Sequence, residues 1–157
     1  MANKVTFEMT GLKETLKVFE DLQSEIGDKK ARSKVLIPAV KEAMKPVLEM
    51  AKSLAPVDTG FLKQSLRITA KRPSNKDKRS KYVKRNDSVI AVVTTKSPPK
   101  NGSKPFDMRA IAQEFGTANM PAQPFMRVSL ESQASLVAES LGTILKNKIE
   151  KYRSNMK

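Results

Sequence analysis

From Phe125 to Tyr152 apolar residues return at helical spacing: Phe125, Val128, Leu136, Val137, Leu141, Ile144, Leu145 and Ile149. No proline interrupts the run, and charged side chains fill the other face. A helix of about 28 residues is roughly 42 Å long. The rest of the chain must therefore offer a long apolar surface for one stripe to cover, which suits a layered α+β arrangement with the helix packed on a sheet.

The N-terminal part supplies more helix. Leu12, Leu16, Phe19, Leu22 and Ile26 share one face, and Gly27 follows where a helix commonly stops. This predicts a helix over 12–26. Ser33 is the expected cap of a second helix, with Ile37, Val40, Met44, Val47, Ala51 and Leu54 as its stripe. Pro38 then falls in the tolerant first turn, whereas Pro46 should kink or split the helix before Pro56 ends it. Asp58 is the expected cap of a short helix carrying Phe61, Leu62 and Leu66.

Strand signals are fewer. Val5, Phe7 and Met9 alternate with polar residues, and an extended stretch begins at Ile68. Residues 89–95, VIAVVTT, form a β-branched run suited to burial on both faces. Residues 106–115, FDMRAIAQEF, fit helix or strand. The expected fold is a single α+β domain over 1–157. A helix pair and a long C-terminal helix would pack on an antiparallel sheet of about four strands.

Composition limits the chemistry. There is no Cys and no His among the 157 residues, so thiolate ligands, disulfides, imidazole ligands and imidazole bases are all excluded. No phosphate-cradling glycine loop or nucleophile elbow occurs. Asp58, Thr59, Asp107 and Glu114 are the acids and hydroxyl in unusual local sequence, and Asp58 reads as a cap rather than an acid catalyst. Glu114 reads either as one half of an ion pair at a subunit contact or as an exposed acid without a role. No catalytic residue, metal or cofactor is expected. The N-terminus lacks a signal-peptide pattern and no stretch approaches ~18 apolar residues. A soluble protein that stays where it is made is expected.

The net charge of +14 is concentrated. Residues 71–85 hold eight basic residues and one acid, and the stretch from Lys146 holds five and one. With Ser, Asn and Pro between the charges, 71–87 is expected to be a mobile basic hairpin loop, and 153–157 a basic tail. Lys71, Arg72, Lys76, Lys78, Arg79, Lys81, Lys84 and Arg85 could neutralise DNA phosphates or meet a neighbouring subunit. Tyr82 is the one aromatic there, too few for a base-stacking platform. Lys146, Lys148, Lys151 and Arg153 would also suit a helix lying on a membrane. Packing of its stripe on the sheet is the expected arrangement, with no membrane contact.

Three segments carry a resemblance: APVDTGFLKQSL at 55–66, AIAQEFGT at 110–117 and the Pro-Phe opening of the last helix. In order and spacing they resemble the tail-completion, or neck, family of long-tailed bacteriophages, also known as head–tail joining or minor tail proteins. Ala55, Pro56, Thr59, Gly60, Leu62 and Ser65 match the first motif, Glu114, Gly116 and Thr117 the second, Pro124 and Phe125 the third. The resemblance runs from Gly11 to about Leu145 and departs from the family at the long basic insertion and at Val128.

It implies a structural virion component, not an enzyme. The expected assembly is a ring of about six copies around the DNA channel. It would complete the tail, join it to the head and contact head-closure, tail-terminator or tail-tube proteins. A tail terminator or head-closure ring of the same particle is the nearest alternative. A stand-alone basic DNA-binding protein is the other.

Overall fold

The computed structural model describes residues 12–57, 60–96 and 106–156. Helices α1 (Leu12–Ile26), α2 (Asp28–Ala31), α3 (Ile37–Ala43), α4 (Lys45–Leu54) and α5 (Phe61–Ser65) precede strand β1 (Leu66–Lys71). Strand β2 (Ile90–Thr95) and helices α6 (Phe106–Phe115) and α7 (Met126–Ser154) follow. The chain divides into two compact units, one of residues 1–43, 70–90 and 135–157, the other of 44–69 and 91–134. Both are built from discontinuous stretches.

In the first unit α1 has the expected bounds, and Gly27 with φ 84° ends it. Its buried face runs through Thr15, Phe19 and Leu22 to Ile26, whereas Leu16 is exposed. The next helical run starts at Asp28, not at Ser33, whose hydroxyl donates to the Lys30 carbonyl instead. Its buried line is Ala31, Val35, Ala39 and Ala43, four apart, and the small size of the first three admits close packing against Phe19, Leu22, Leu145 and Ile149. Pro38 therefore lies inside the run rather than at its start. A π-turn over Arg32–Leu36, closed by Ile37 N–H donating to Arg32 O, precedes it. Such a wide turn re-registers the helix where a proline cannot donate. Lys148 pairs with Glu42 at 2.7 Å and Arg153 with Glu25 at 2.8 Å. In this unit the last helix buries Leu145 and Ile149 against helical residues rather than against the expected sheet. It leaves Leu136 of the expected stripe 48% exposed and runs through Arg153 to Ser154.

Residues 72–89 join β1 to β2 in consecutive hydrogen-bonded turns that include a 3-10 turn over Asp77–Arg79. Asp77 organises the first of them. It pairs with Lys71 at 2.8 Å and accepts from Ser74 N–H at 2.9 Å and Ser74 hydroxyl at 2.6 Å. The Lys71 ammonium, then the Ser74 donors, hold this carboxyl well below the usual carboxylate range. Asp87 does the same for the second turn, accepting from Lys84 N–H at 2.8 Å.

In the second unit the helical run restarts at α4 after a break at Met44, and Pro46 sits in its first turn, where no N–H is needed. Ala51, Ala55, Leu66, Ala110 and Phe125 form the core, with Leu48, Leu62, Val93 and Met126 around them. Leu66 opens β1 instead of closing the short helix, which is capped by Gly60 at φ 75°.

The sheet has two antiparallel strands among the described residues, not about four. The strand expected at Val5–Met9 and the cap at Asp58 lie outside the described residues. Residues 106–115 are helical because Ala110 and Glu114 form a 3.6-period inward face. Nor is β2 buried on both faces: Val92 is 44% exposed, as a two-stranded ribbon with few covering layers requires.

Candidate functional site

The motif segments meet in the second unit, and the residue that joins two of them is Glu114. Its side chain is 9% exposed at the end of α6. One carboxylate oxygen accepts from the backbone N–H groups of Phe125 and Met126, both at 2.9 Å. The other accepts from Arg127 N–H at 3.1 Å. These are donors at the start of α7 that no turn of that helix can satisfy. A buried carboxylate is held in place by them, and its charge suits the positive end of the helix dipole. The Arg127 guanidinium adds a longer ion pair at 3.7 Å and also faces the Phe115 ring. Glu114 is thus neither an exposed acid nor a bare ion-pair partner.

The chain between the two motifs is shaped to allow this. Gly116 has φ 77°, and a Cβ there would stand 2.8 Å from Ala122 N and 2.9 Å from Met120 O. Only glycine fits both the conformation and the approach. Thr117 N–H donates to Met120 O at 2.8 Å, and Gln123 N–H returns to Gln113 O at 2.7 Å, closing the turn on α6. Phe125 is 1% exposed, and Ser129, 0% exposed, donates its hydroxyl to the Phe125 carbonyl.

The first motif closes the other side. Pro56, Gly60 and Leu62 line a pocket of about 250 Å³ with Arg109, Ala112, Gln113 and Met120, so motif one faces the turn of motif two. Ser65 is buried and donates to Leu62 O at 2.7 Å. Thr59 lies outside the described residues, Thr117 is exposed and Pro124 is half-buried. A second pocket, of about 360 Å³, is lined by Val93, Thr95, Ala110, Ile111, Phe115 and Met126. Beside it α6 shows solvent an apolar row, Met108, Ile111 and Phe115, at 66%, 57% and 69% exposure.

None of the eight basic residues singled out between Lys71 and Arg85 belongs to this cluster. They sit on the turns of the first unit, exposed except for the half-buried Lys78. Among the described residues no group of acids could hold a metal, and no helix is long and apolar enough to cross a membrane.

An α+β chain whose motif residues cap helices, close turns and fill a core is that of a structural building block. Residues 13–116 match the HK97-gp10-like family, described as "Bacteriophage HK97-gp10, putative tail-component". The chain belongs to this family of bacteriophage tail components. The matched span is shorter than the one the sequence resemblance suggested. It contains motif one, Glu114 and Gly116, and stops before Thr117, Pro124 and Phe125. No curated protein and no solved structure shows a significant match to the chain.

Proposed function

We propose that the chain is a virion component of the phage neck or tail top, built as a ring of about six copies around the DNA channel. It completes the tail and provides the surface that joins it to the head. The observation that carries this reading is the tail-component family match over 13–116, within which Pro56, Gly60 and Leu62 line one pocket with residues of α6. The exposed row Met108, Ile111 and Phe115 supports it, because contiguous apolar surface is what subunits cover on assembly. Partners are further copies and head-closure, tail-terminator or tail-tube proteins, met in the host cytoplasm during assembly. No cofactor takes part.

The test is a phage with this reading frame interrupted. Electron micrographs should show filled heads and finished tails that stay apart, with joining restored by the purified chain. Tails of uncontrolled length would instead indicate a terminator, and normal virions would overturn the reading.

A further inference from the structure

The loop between the strands has a charge arrangement that the assembly reading does not use. Its two acids, Asp77 and Asp87, are both turned onto the backbone and Lys71 of the loop itself. Its bases are not. Lys76, Lys78, Arg79 and Lys81 on the first turns, and Lys84 and Arg85 on the second, form no ion pair among the described residues. Pro73 is buried at the root of the loop, while five of those six bases are exposed. The acids are spent on holding shape, and the bases are left facing water on a short, turn-rich scaffold.

Like charges held together cost free energy unless a polyanion neutralises them. A second copy of this chain also carries +14 and is a poor counterpart. A phosphodiester backbone offers regularly spaced single charges, each of which releases counterions when a Lys or Arg meets it. Single strands call for several stacking aromatics, and Tyr82, 81% exposed with the Lys81 ammonium 5.0 Å from its ring, stands alone.

We propose that residues 71–87 form a binding surface for the phosphate backbone of duplex nucleic acid, without sequence preference. Asp77 is its principal positioning residue. Binding is a property of the chain by itself. It rests on the neck reading only for its setting, which would be the DNA in the channel, and the phage phenotype above tests that reading separately.

The arrangement makes an unusual demand of one variant. Asp77→Asn removes a negative charge and frees Lys71, so charge alone would tighten binding. Without the Lys71 pair, and with a neutral amide oxygen accepting the Ser74 bonds less strongly than a carboxylate, the turn instead loosens and the bases scatter. Each rotamer-rich side chain that must then be ordered on binding weakens the complex. The experiment titrates the full chain with short duplexes of unrelated sequence at several salt concentrations, checking folding by circular dichroism.

The wild type should bind all duplexes alike, with a log–log salt slope near −4 to −5, about 0.9 per phosphate. Replacing Lys76, Lys78, Arg79 and Lys81 by Ser should flatten that slope by about 3. Asp77→Asn should bind about three- to tenfold more weakly at equal salt. No binding by the wild type at low salt, or equal or tighter binding by Asp77→Asn, would overturn the proposal. So would competition by polyglutamate as effective as that by unlabelled duplex, which would point to an acidic protein partner.

Discussion

Removing the Glu114 carboxylate should be one of the most damaging single changes in the second unit. Glu114→Ala strips the partners from three backbone donors at once: Phe125 and Met126 at 2.9 Å and Arg127 at 3.1 Å. Loss of an ordinary helix cap costs about 0.5–2 kcal/mol, and a hydrogen bond to a charged group contributes about 1.5–3 kcal/mol. Met126 and Arg127 are not fully buried, so water can replace part of what they lose. Phe125 N–H has no such access in a residue 1% exposed.

The net cost should therefore be about 2–4 kcal/mol, a fall in Tm of roughly 5–12 °C for a chain of this size. Glu114→Gln keeps one carbonyl oxygen for two donors but turns an amide NH2 toward the third. It should cost about 1–2 kcal/mol. Thermal melts followed by circular dichroism would give the order wild type, Gln, Ala. Amide exchange at Phe125, Met126 and Arg127 should accelerate in the same order. A melt of Glu114→Ala within about 1 °C of the wild type, with exchange at those amides unchanged, would refute the capping role.

Other outcomes follow from the same geometry. Phe125→Ala, emptying a site that is 1% exposed, should cost about 3–5 kcal/mol, and a melting shift of only a degree or so would show the ring to be redundant. Gly116→Ala meets backbone at 2.8 Å and 2.9 Å, whereas Gly60→Ala meets only the end of Gln64 at 3.9 Å. The first should cost clearly more than the second, for which the left-handed backbone alone costs about 1–2 kcal/mol, and equal denaturant midpoints would contradict this.

The Asp77 carboxyl, depressed by Lys71 and Ser74, should titrate in a carbon-detected NMR experiment well below the ordinary value of about 3.9. The turn it holds is then fully formed above that ordinary value and opens only as pH falls through the depressed one. An unshifted titration would remove Asp77 from its assigned place. Limited trypsin digestion should cut within 71–87 before anywhere else, and faster in Asp77→Asn; a loop that resists in both would show it is held by more than its own turns.

Where apolar residues were large and regularly spaced, the sequence reading located elements closely. α1 spans Leu12–Ile26, β2 Ile90–Thr95 and α7 Met126–Ser154, each within a residue or two of expectation. It failed where the packing surface is small. Ala31, Ala39 and Ala43 carry little hydrophobic signal, so the pattern of large residues places the cap at Ser33, six residues after Gly27, where it stands. Leu16 was counted into a face that Thr15 occupies, because a leucine outweighs a threonine in any pattern count. Residues 106–115 fit helix or strand from their apolar residues alone, and the helix is decided by the inward positions Ala110 and Glu114, which carry no hydrophobic signal of that size.

Glu114 was visible as a motif residue but not as a buried one, since its partners lie eleven to thirteen positions away. The signal was nonetheless present. Four residues after Ala110, on the same helix face, an acid sits among Ile111 and Phe115. A carboxylate at an inward position must find donors, and the nearest supply of unpaired donors in any α+β chain is a helix N-terminus. The Pro-Phe pair marks one, because proline ends what precedes it and the following residues begin α7 with free N–H groups. Glu114 and Phe125 are in this sense one motif split by a turn, with Gly116 required so that the turn can bring them together. The residues matching the motifs sit mainly on this support, while the exposed row Met108, Ile111 and Phe115 and the basic turns of 71–87 take no part in it. That separation has a physical basis: exposed side chains can change without disturbing the fold, whereas the cap, the turn and the core beneath them cannot.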